Sequence, residues 1–166
     1  MNKERVLILD KERIGRKLKR MAYQIWERNS RERELMLIGI EHGGVAVANG
    51  LARALREISP LRVQVLPFRI NKKDPLQDLP RVSENLDGRS VVLVDDVANS
   101  GRTLLYALRS LLEYLPASIS VAVLVDRTHK RFPITPDIVG YNVSTTLQEH
   151  IEVELEGDEI KAAYLQ

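Results

Sequence analysis

No cysteine occurs among the 166 residues of the chain, so it has neither a disulfide framework nor a thiolate metal site. Histidine is scarce: His42, His129 and His150 are the only three, and nothing around them suggests a nucleophile–base–acid triad. Long apolar runs are missing too, since none approaches the ~18 residues of a membrane span. The opening MNKERVLILDKER has an apolar run of four residues with an acid directly behind it, which is not a signal peptide. A cytoplasmic protein with no membrane partner is therefore expected. No GxxxxGK[ST] element is present, which argues against a nucleoside triphosphatase. Nor does one sign of charge dominate: a net charge of +2 implies nucleic-acid binding only where basic residues cluster. Aromatic residues make up 5%, and Tyr23 and Trp26 stand beside an apolar stripe, where packing or subunit contacts would stand. No internal repeat or low-complexity tract is visible.

What is present is a composition ordinary for a globular protein, 44% hydrophobic and 29% charged, in a length suited to one α/β domain spanning 1–166. Its centre is Val91 to Leu105, VVLVDDVANSGRTLL. Four apolar residues, Val91 to Val94, suit a strand buried on both faces of a parallel sheet. Asp95 and Asp96 follow where that strand should end. The turn Asn99-Ser100-Gly101 then leads through Arg102 and Thr103 into a helix marked by Leu104, Leu105, Leu108, Leu111 and Leu112. Free amides at a helix N-terminus, with the Ser100 and Thr103 hydroxyls, suit a phosphate. The two carboxylates repel phosphate and need donors instead, either sugar hydroxyls or a divalent cation. A ligand with phosphate at one end and a diol in its middle is a phosphorylated ribose.

The remaining segments alternate in the same way. Val6 to Leu9 reads as a strand, Asp10 as a helix N-cap, and Ile14, Leu18, Met21, Ala22 and Ile25 as the apolar stripe of a helix over about 11–28. Its other faces are basic: Arg13, Lys17 and Arg20 share one side, Arg16 and Lys19 another. Such a face is either simply solvated or a surface for a polyanion. Leu35 to Ile40 is a second buried strand, followed by Glu41-His42-Gly43-Gly44 and a helix through Leu55, a second anion-binding turn on the same sheet edge. Leu61 to Phe68 is a third strand. From Arg69 to Arg89 the chain turns polar, a stretch that is either a lid or a plain connection. Ser118 to Val125 is a further buried strand, and Ile151 to Leu155 alternates as a half-buried one.

The Val91–Thr103 stretch resembles the phosphoribosyl diphosphate signature of type I phosphoribosyltransferases; an acidic Rossmann-like or Walker-B-like strand end is the alternative. The segments VAVLVDRTHKRFPITPDIVGYNVSTT and LILDKERIGRKLKRMAYQIWERN are similar to the family of bacterial pyrimidine operon regulators that also act as uracil phosphoribosyltransferases. The likeness spans nearly the whole chain and is weakest from Phe68 to Arg89. It implies the type I phosphoribosyltransferase fold, a central parallel sheet flanked by helices. A small hood would come from about 1–10 and 126–166, with a flexible loop over about 69–89.

The resemblance also assigns roles. Asp95 and Asp96 would take the ribose hydroxyls, and Ala98, Asn99, Ser100, Gly101, Arg102 and Thr103 the 5′-phosphate. His42, Gly43 and Gly44 would take pyrophosphate, although the Lys or Arg usual in that turn is absent. Asp126, Ile138 and Val139 would face the base, and Arg69, Lys72 and Lys73 would approach the diphosphate from the loop. Asn99 stands where 6-oxopurine enzymes carry an Asp, which favours uracil over hypoxanthine or guanine. Mg²⁺ would enter with the diphosphate, with no protein side chain assigned as its ligand. The implied activity joins a nucleobase to 5-phosphoribosyl 1-diphosphate and releases pyrophosphate, in a homodimer or higher homo-oligomer. A second reading is a regulator that senses nucleotide with little or no turnover and binds an mRNA leader through Arg13, Lys17 and Arg20, helped by the 126–131 segment.

Overall fold

Five runs become the parallel strands of one sheet, and the three inner ones are apolar and buried on both faces. In this computed structural model, which describes residues 4–77, 80–146 and 148–166, the strands are β2 (Glu34–Ile40), β3 (Arg62–Phe68), β4 (Ser90–Ala98), β5 (Ser118–Arg127) and β6 (Ile138–Val143). They lie in the order β3-β2-β4-β5-β6, every neighbour parallel. The first strand of the small sheet, β1, is Val6–Leu9, and three helices complete the α/β layers: α1 (Lys11–Arg28), α2 (Gly43–Ile58) and α3 (Arg102–Leu111). Asp10 caps α1 as its position suggested, accepting a hydrogen bond from the Arg13 amide at 2.8 Å. Ile14, Met21, Ala22 and Ile25 of α1 pack with Val47, Leu51 and Leu55 of α2 on one face of the sheet. Leu104, Ala107 and Leu111 of α3 cover the other face, against Met36, Ile38, Leu93 and Val123.

The chain runs from β2 outward to β3 and then returns to the far side of β2 as β4. Strand order therefore reverses between β2 and β4, and the crevice beyond their carboxyl ends is where an open α/β sheet binds ligands. Both glycine-containing turns, one after β2 and one after β4, open onto that crevice.

Three expectations change on contact with the structure. β4 does not stop at Val94 but continues through both acids to Ala98, with Asp95 opposite Val123 and Ala98 opposite Asp126. The hood is narrower than 1–10 and 126–166: β6 belongs to the main sheet, and the covering layer is a small antiparallel sheet of order β1-β8-β7, built with β7 (Ile151–Glu156) and β8 (Glu159–Leu165). Finally, the 69–89 segment is only half a free loop. Val82 and Leu86 are buried in the core under α3, Leu86 completely, Gln64 is hydrogen-bonded to Glu84, and Asp87 accepts from the Leu115 amide at 2.7 Å. Positions 1–3 of the expected hood, 78–79 of the loop and 147 lie outside the described residues. Among the described residues no helix is long and apolar enough to cross a membrane.

Candidate functional site

Because β4 carries its two acids on into the sheet, Asp95 is 3% exposed and buried beneath the crevice. Its Oδ1 accepts from the Asp96 amide at 2.9 Å, and Asp96 Oδ1 accepts from the Val97 amide at 2.7 Å. Burial, above all, pushes the Asp95 carboxyl well above the usual carboxylate range; the Asp96 charge and a hydrogen bond shared with Asp96 push the same way, and Lys72 pulls it back in part. The pair thus awaits a donor-rich or cationic ligand that would favour the ionised form.

Above the acids lies a cavity of about 400 Å³, a volume suited to a small ligand. Ala98, Asn99, Ser100, Gly101, Arg102 and Thr103 line one side of it. Gly101 has φ 83°, the left-handed conformation that lets the chain turn from β4 into α3. Gly101 has no side chain to cap α3, and Ser100 Oγ accepts from the Arg102 amide at 3.3 Å, so the other first-turn amides and the positive end of the dipole face the cavity. Arg131 and Phe132 donate their amides to Ser100 O at 3.1 and 3.0 Å and hold the loop from behind. Asn99 Oδ1 is buried without a partner.

Behind Asp96 lies the start of α2. Its first turn lies so close to β4 that a Cβ at Gly43 would coincide with the Asp96 carboxylate, and one at Gly44 would come within 2.5 Å of Val94 O. A side chain at position 43 would have to displace the Asp96 carboxylate, which accounts for a glycine there rather than a cation. His42 precedes the turn, and the Glu41–His42 peptide is cis. His42, Gly43 and Gly44 flank the cavity through Asp96, while His42 lines a smaller cleft with Glu41, Asn49 and Asp158. A cation does arrive from elsewhere: Arg69 Nε donates to Glu41 Oε2 at 2.6 Å. Lys72 lines the main cavity beside Asp95, whereas Lys73 is exposed and does not line it.

The residues expected at the base are placed differently. Ile138 is 1% exposed and packs in the core beneath α1 and α2, Val139 packs on the α3 side, and neither lines the cavity. Both belong to β6, the edge strand two places away from the acids, whose carbonyls at Val139 and Gly140 are taken by the Arg20 guanidinium. Asp126 is also committed, since its Oδ1 lies 2.5 Å from the Lys130 ammonium with both side chains nearly buried. That approach has the distance of an ion pair but not the angle of a hydrogen bond, so the oxygen lacks a regular donor. The wall facing the phosphate loop is instead His150, Ile151, Glu152 and Val153 of β7 and the turn before it. Sequence reading missed these four; the period-2 pattern marked a strand but not which cavity it covers.

The expected polyanion face is altered as well. Arg20 donates to Val139 O at 3.1 Å and to Gly140 O at 2.6 Å, tying α1 to β6. Arg13 donates to Ile8 O at 3.1 Å, and Lys17 lies 5.7 Å from the centre of the Tyr141 ring. Among the described residues no three His, Cys, Asp or Glu side chains converge to hold a metal ion.

Comparison with known proteins agrees with this geometry. Residues 7–156 match the phosphoribosyl transferase domain. Over 158 residues the chain is 40% identical to the bifunctional protein PyrR of Roseiflexus sp. strain RS-1, covering 89% of this chain and 86% of that one. The bifunctional protein PyrR of Geobacter sp. strain M21 is 38% identical over 165 residues, 93% of each chain. A hypoxanthine-guanine phosphoribosyltransferase from Bacillus anthracis superposes with a TM-score of 0.77 at 19% identity, covering 96% of this chain and 99% of that one. The hypoxanthine phosphoribosyltransferase of Trypanosoma cruzi gives 0.75 at 23% identity, over 83% and 81%. Those two likenesses speak to the fold alone, but the match over residues 7–156 and the 40% identity go further: acid pair, phosphate turn and parallel sheet belong together because the chain is a member of the phosphoribosyl transferase domain family.

Proposed function

We propose that the chain joins a nucleobase, uracil first, to 5-phosphoribosyl 1-diphosphate and releases pyrophosphate. One observation carries this reading: the N-terminus of α3 and a buried carboxylate pair line a single cavity, and the glycine turn that opens α2 lies against Asp96 beside it. Asp95 and Asp96 accept the ribose hydroxyls and fix the sugar between the two anion sites. The first turn of α3, with the Ser100 and Thr103 hydroxyls, holds the 5′-phosphate. The glycine turn of α2 faces the leaving pyrophosphate, and Lys72 and Arg69 bring the cations which that turn lacks. The base lies along His150–Val153, where its ring nitrogen can approach C1. In the reaction the C1–O bond to pyrophosphate breaks, the C1–N bond forms, and the displaced N–H proton leaves to water or to pyrophosphate oxygen. The residues contribute by positioning the partners and meeting charge as it develops. Mg²⁺ carried with the diphosphate would supply neutralisation of charge on the leaving group, with no protein side chain assigned as its ligand. The test is pyrophosphate release from phosphoribosyl diphosphate and Mg²⁺ with each nucleobase in turn. Uracil should give the highest rate, and a preference for hypoxanthine or guanine would overturn the base assignment.

A second reading, in which the protein binds an RNA leader and senses nucleotide, is favoured by α1. Its residues 11–20 carry six basic side chains against the single acid Glu12. If that flank binds RNA, affinity for a structured pyrimidine-operon leader should fall steeply with salt. Reversing Arg13, Lys17 and Lys19 to Glu should then abolish it. Binding that survives those reversals would exclude this face.

A further inference from the structure

The amino ends of β2, β3 and β4 gather a second concentration of charge, at the edge of the sheet opposite the phosphoribosyl cavity. Glu34 opens β2, Arg62 opens β3 and pairs with it in register, and Arg89 directly precedes β4. With Arg31, Glu32 and Arg33 of the turn before β2 they line a cavity of about 400 Å³. At ~3.3 Å per strand residue, Ser90 and Asp95 stand about 17 Å apart along β4, and no residue lines both cavities. The backbone beneath is fixed from three sides. Asn29 is buried, donates its side-chain amide to Ile25 O at 2.8 Å and accepts from the Glu32 amide at its own carbonyl at 3.0 Å. Arg33 O accepts from the Arg62 amide at 3.0 Å, and the Gly88 and Arg89 amides donate to Leu115 O and Leu86 O at 2.9 and 3.0 Å.

The guanidinium groups on this frame outnumber their partners. Four arginines line the cavity against two carboxylates, Glu32 and Glu34, and Glu84 stands 4.0 Å from Arg89. Glu34 alone serves two of them, Arg62 at 2.9 Å and Arg89 at 3.8 Å. A guanidinium carries several N–H donors in a fixed fork, and one shared carboxylate cannot engage them all. Among the described residues the Arg31 and Arg33 side chains have neither an ion pair nor a hydrogen bond. A ligand with one carboxylate would add only what Glu34 already provides, whereas a chain of phosphoryl groups brings several charges and meets several guanidinium forks at once. No aromatic or apolar side chain lines the cavity, so nothing there reads a base. We propose that this cavity is a second anion site, which binds a polyphosphate chain, free or as the triphosphate of a nucleotide, whatever base it carries. The proposal is independent of the proposed activity, because none of these side chains lines the phosphoribosyl cavity.

Amide-resolved NMR titration of the full chain with sodium tripolyphosphate, at low salt and without divalent metal, tests it. The backbone amides of Glu32, Glu34, Arg62, Gly88 and Arg89 should shift along one saturable curve, separately from any change at Gly43, Gly44 or 99–103. Nucleoside triphosphates carrying adenine, guanine or uracil should give the same dissociation constant at these amides within about threefold, and sulfate should bind at least about tenfold more weakly. Replacing both free arginines, Arg31→Ala with Arg33→Ala, removes side chains that make no bond within the chain and should leave circular dichroism unchanged. It should weaken tripolyphosphate binding at these amides by about tenfold or more. Amides that stay unshifted at millimolar tripolyphosphate would overturn the proposal. So would sulfate binding as tightly, a nucleotide that binds where tripolyphosphate does not, or an affinity unchanged in the double variant.

Discussion

Replacing Asp95 with Asn should make the protein more stable and less able to bind its ligand. The Asn side chain keeps the oxygen that accepts from the Asp96 amide at 2.9 Å, so local geometry is retained while the buried charge is removed. At about pH 7, losing a charge that is 3% exposed and sits beside Asp96 should stabilise by about 1–3 kcal/mol. For a chain of this length that is a rise in Tm of roughly 2–12 °C. The pH dependence follows from the raised folded-state value. Below the ordinary Asp value of 3.8 Asp95 is protonated whether folded or not, and the variant gains nothing. Above it, the folded protein still holds the proton that the unfolded chain has lost, so wild-type stability falls until pH passes the raised value. The advantage of the variant should therefore open between those limits and then stay constant. Thermal denaturation of both proteins across the acid and neutral range measures it. A variant less stable at neutral pH, or an advantage equally large in acid, would refute the electrostatic account of the site.

Gly43→Ala should leave the fold intact but lower kcat/KM by about 10- to 100-fold, because its methyl group must displace the Asp96 carboxylate; steady-state kinetics and a Tm measurement check both halves. Arg20→Ala should cost about 1–2 kcal/mol of stability through two lost hydrogen bonds to β6 carbonyls, whereas Lys19→Ala should change it by less than about 0.5 kcal/mol; chemical denaturation separates them. In limited proteolysis, cleavage within the Arg69–Gln77 stretch should disappear when phosphoribosyl diphosphate and Mg²⁺ are added, while Arg81 and Arg89 resist cleavage throughout, held by Val82 and Leu86. Equal cleavage with and without ligand would mean that the stretch is only a connection.

Much of this arrangement is legible in the chain because parallel strands buried on both faces must be continuous apolar runs. Leu35–Ile40, Val91–Val94 and Ser118–Val125 could be found that way, and the glycine-containing turns behind them located the crevice. β8 could not: EIKAAYL has a lysine and two alanines, and of its three buried residues only Ile160 is large, beside Ala162 and Ala163. The extension of β4 through Asp95 and Asp96 was hidden for a related reason, since two acids read as the end of a strand unless a ligand site justifies their burial. Helical spacing placed Arg20 on a basic face, yet its reach to the Val139 and Gly140 carbonyls depends on where β6 packs. The Asp126–Lys130 pair, and the placing of His150–Val153 rather than Ile138 and Val139 on the cavity, were likewise set by packing between segments distant in sequence.

The central claim is that Asp95, Asp96 and the two helix N-termini form one phosphoribosyl site. Calorimetric titration of phosphoribosyl diphosphate with Mg²⁺ into the intact chain, and into the chain with both Asp95→Asn and Asp96→Asn, measures it most directly. One molecule should bind per chain in the first case and none in the second, with the double variant still folded. Absence of binding to the intact chain, or equal affinity in both, would contradict the account.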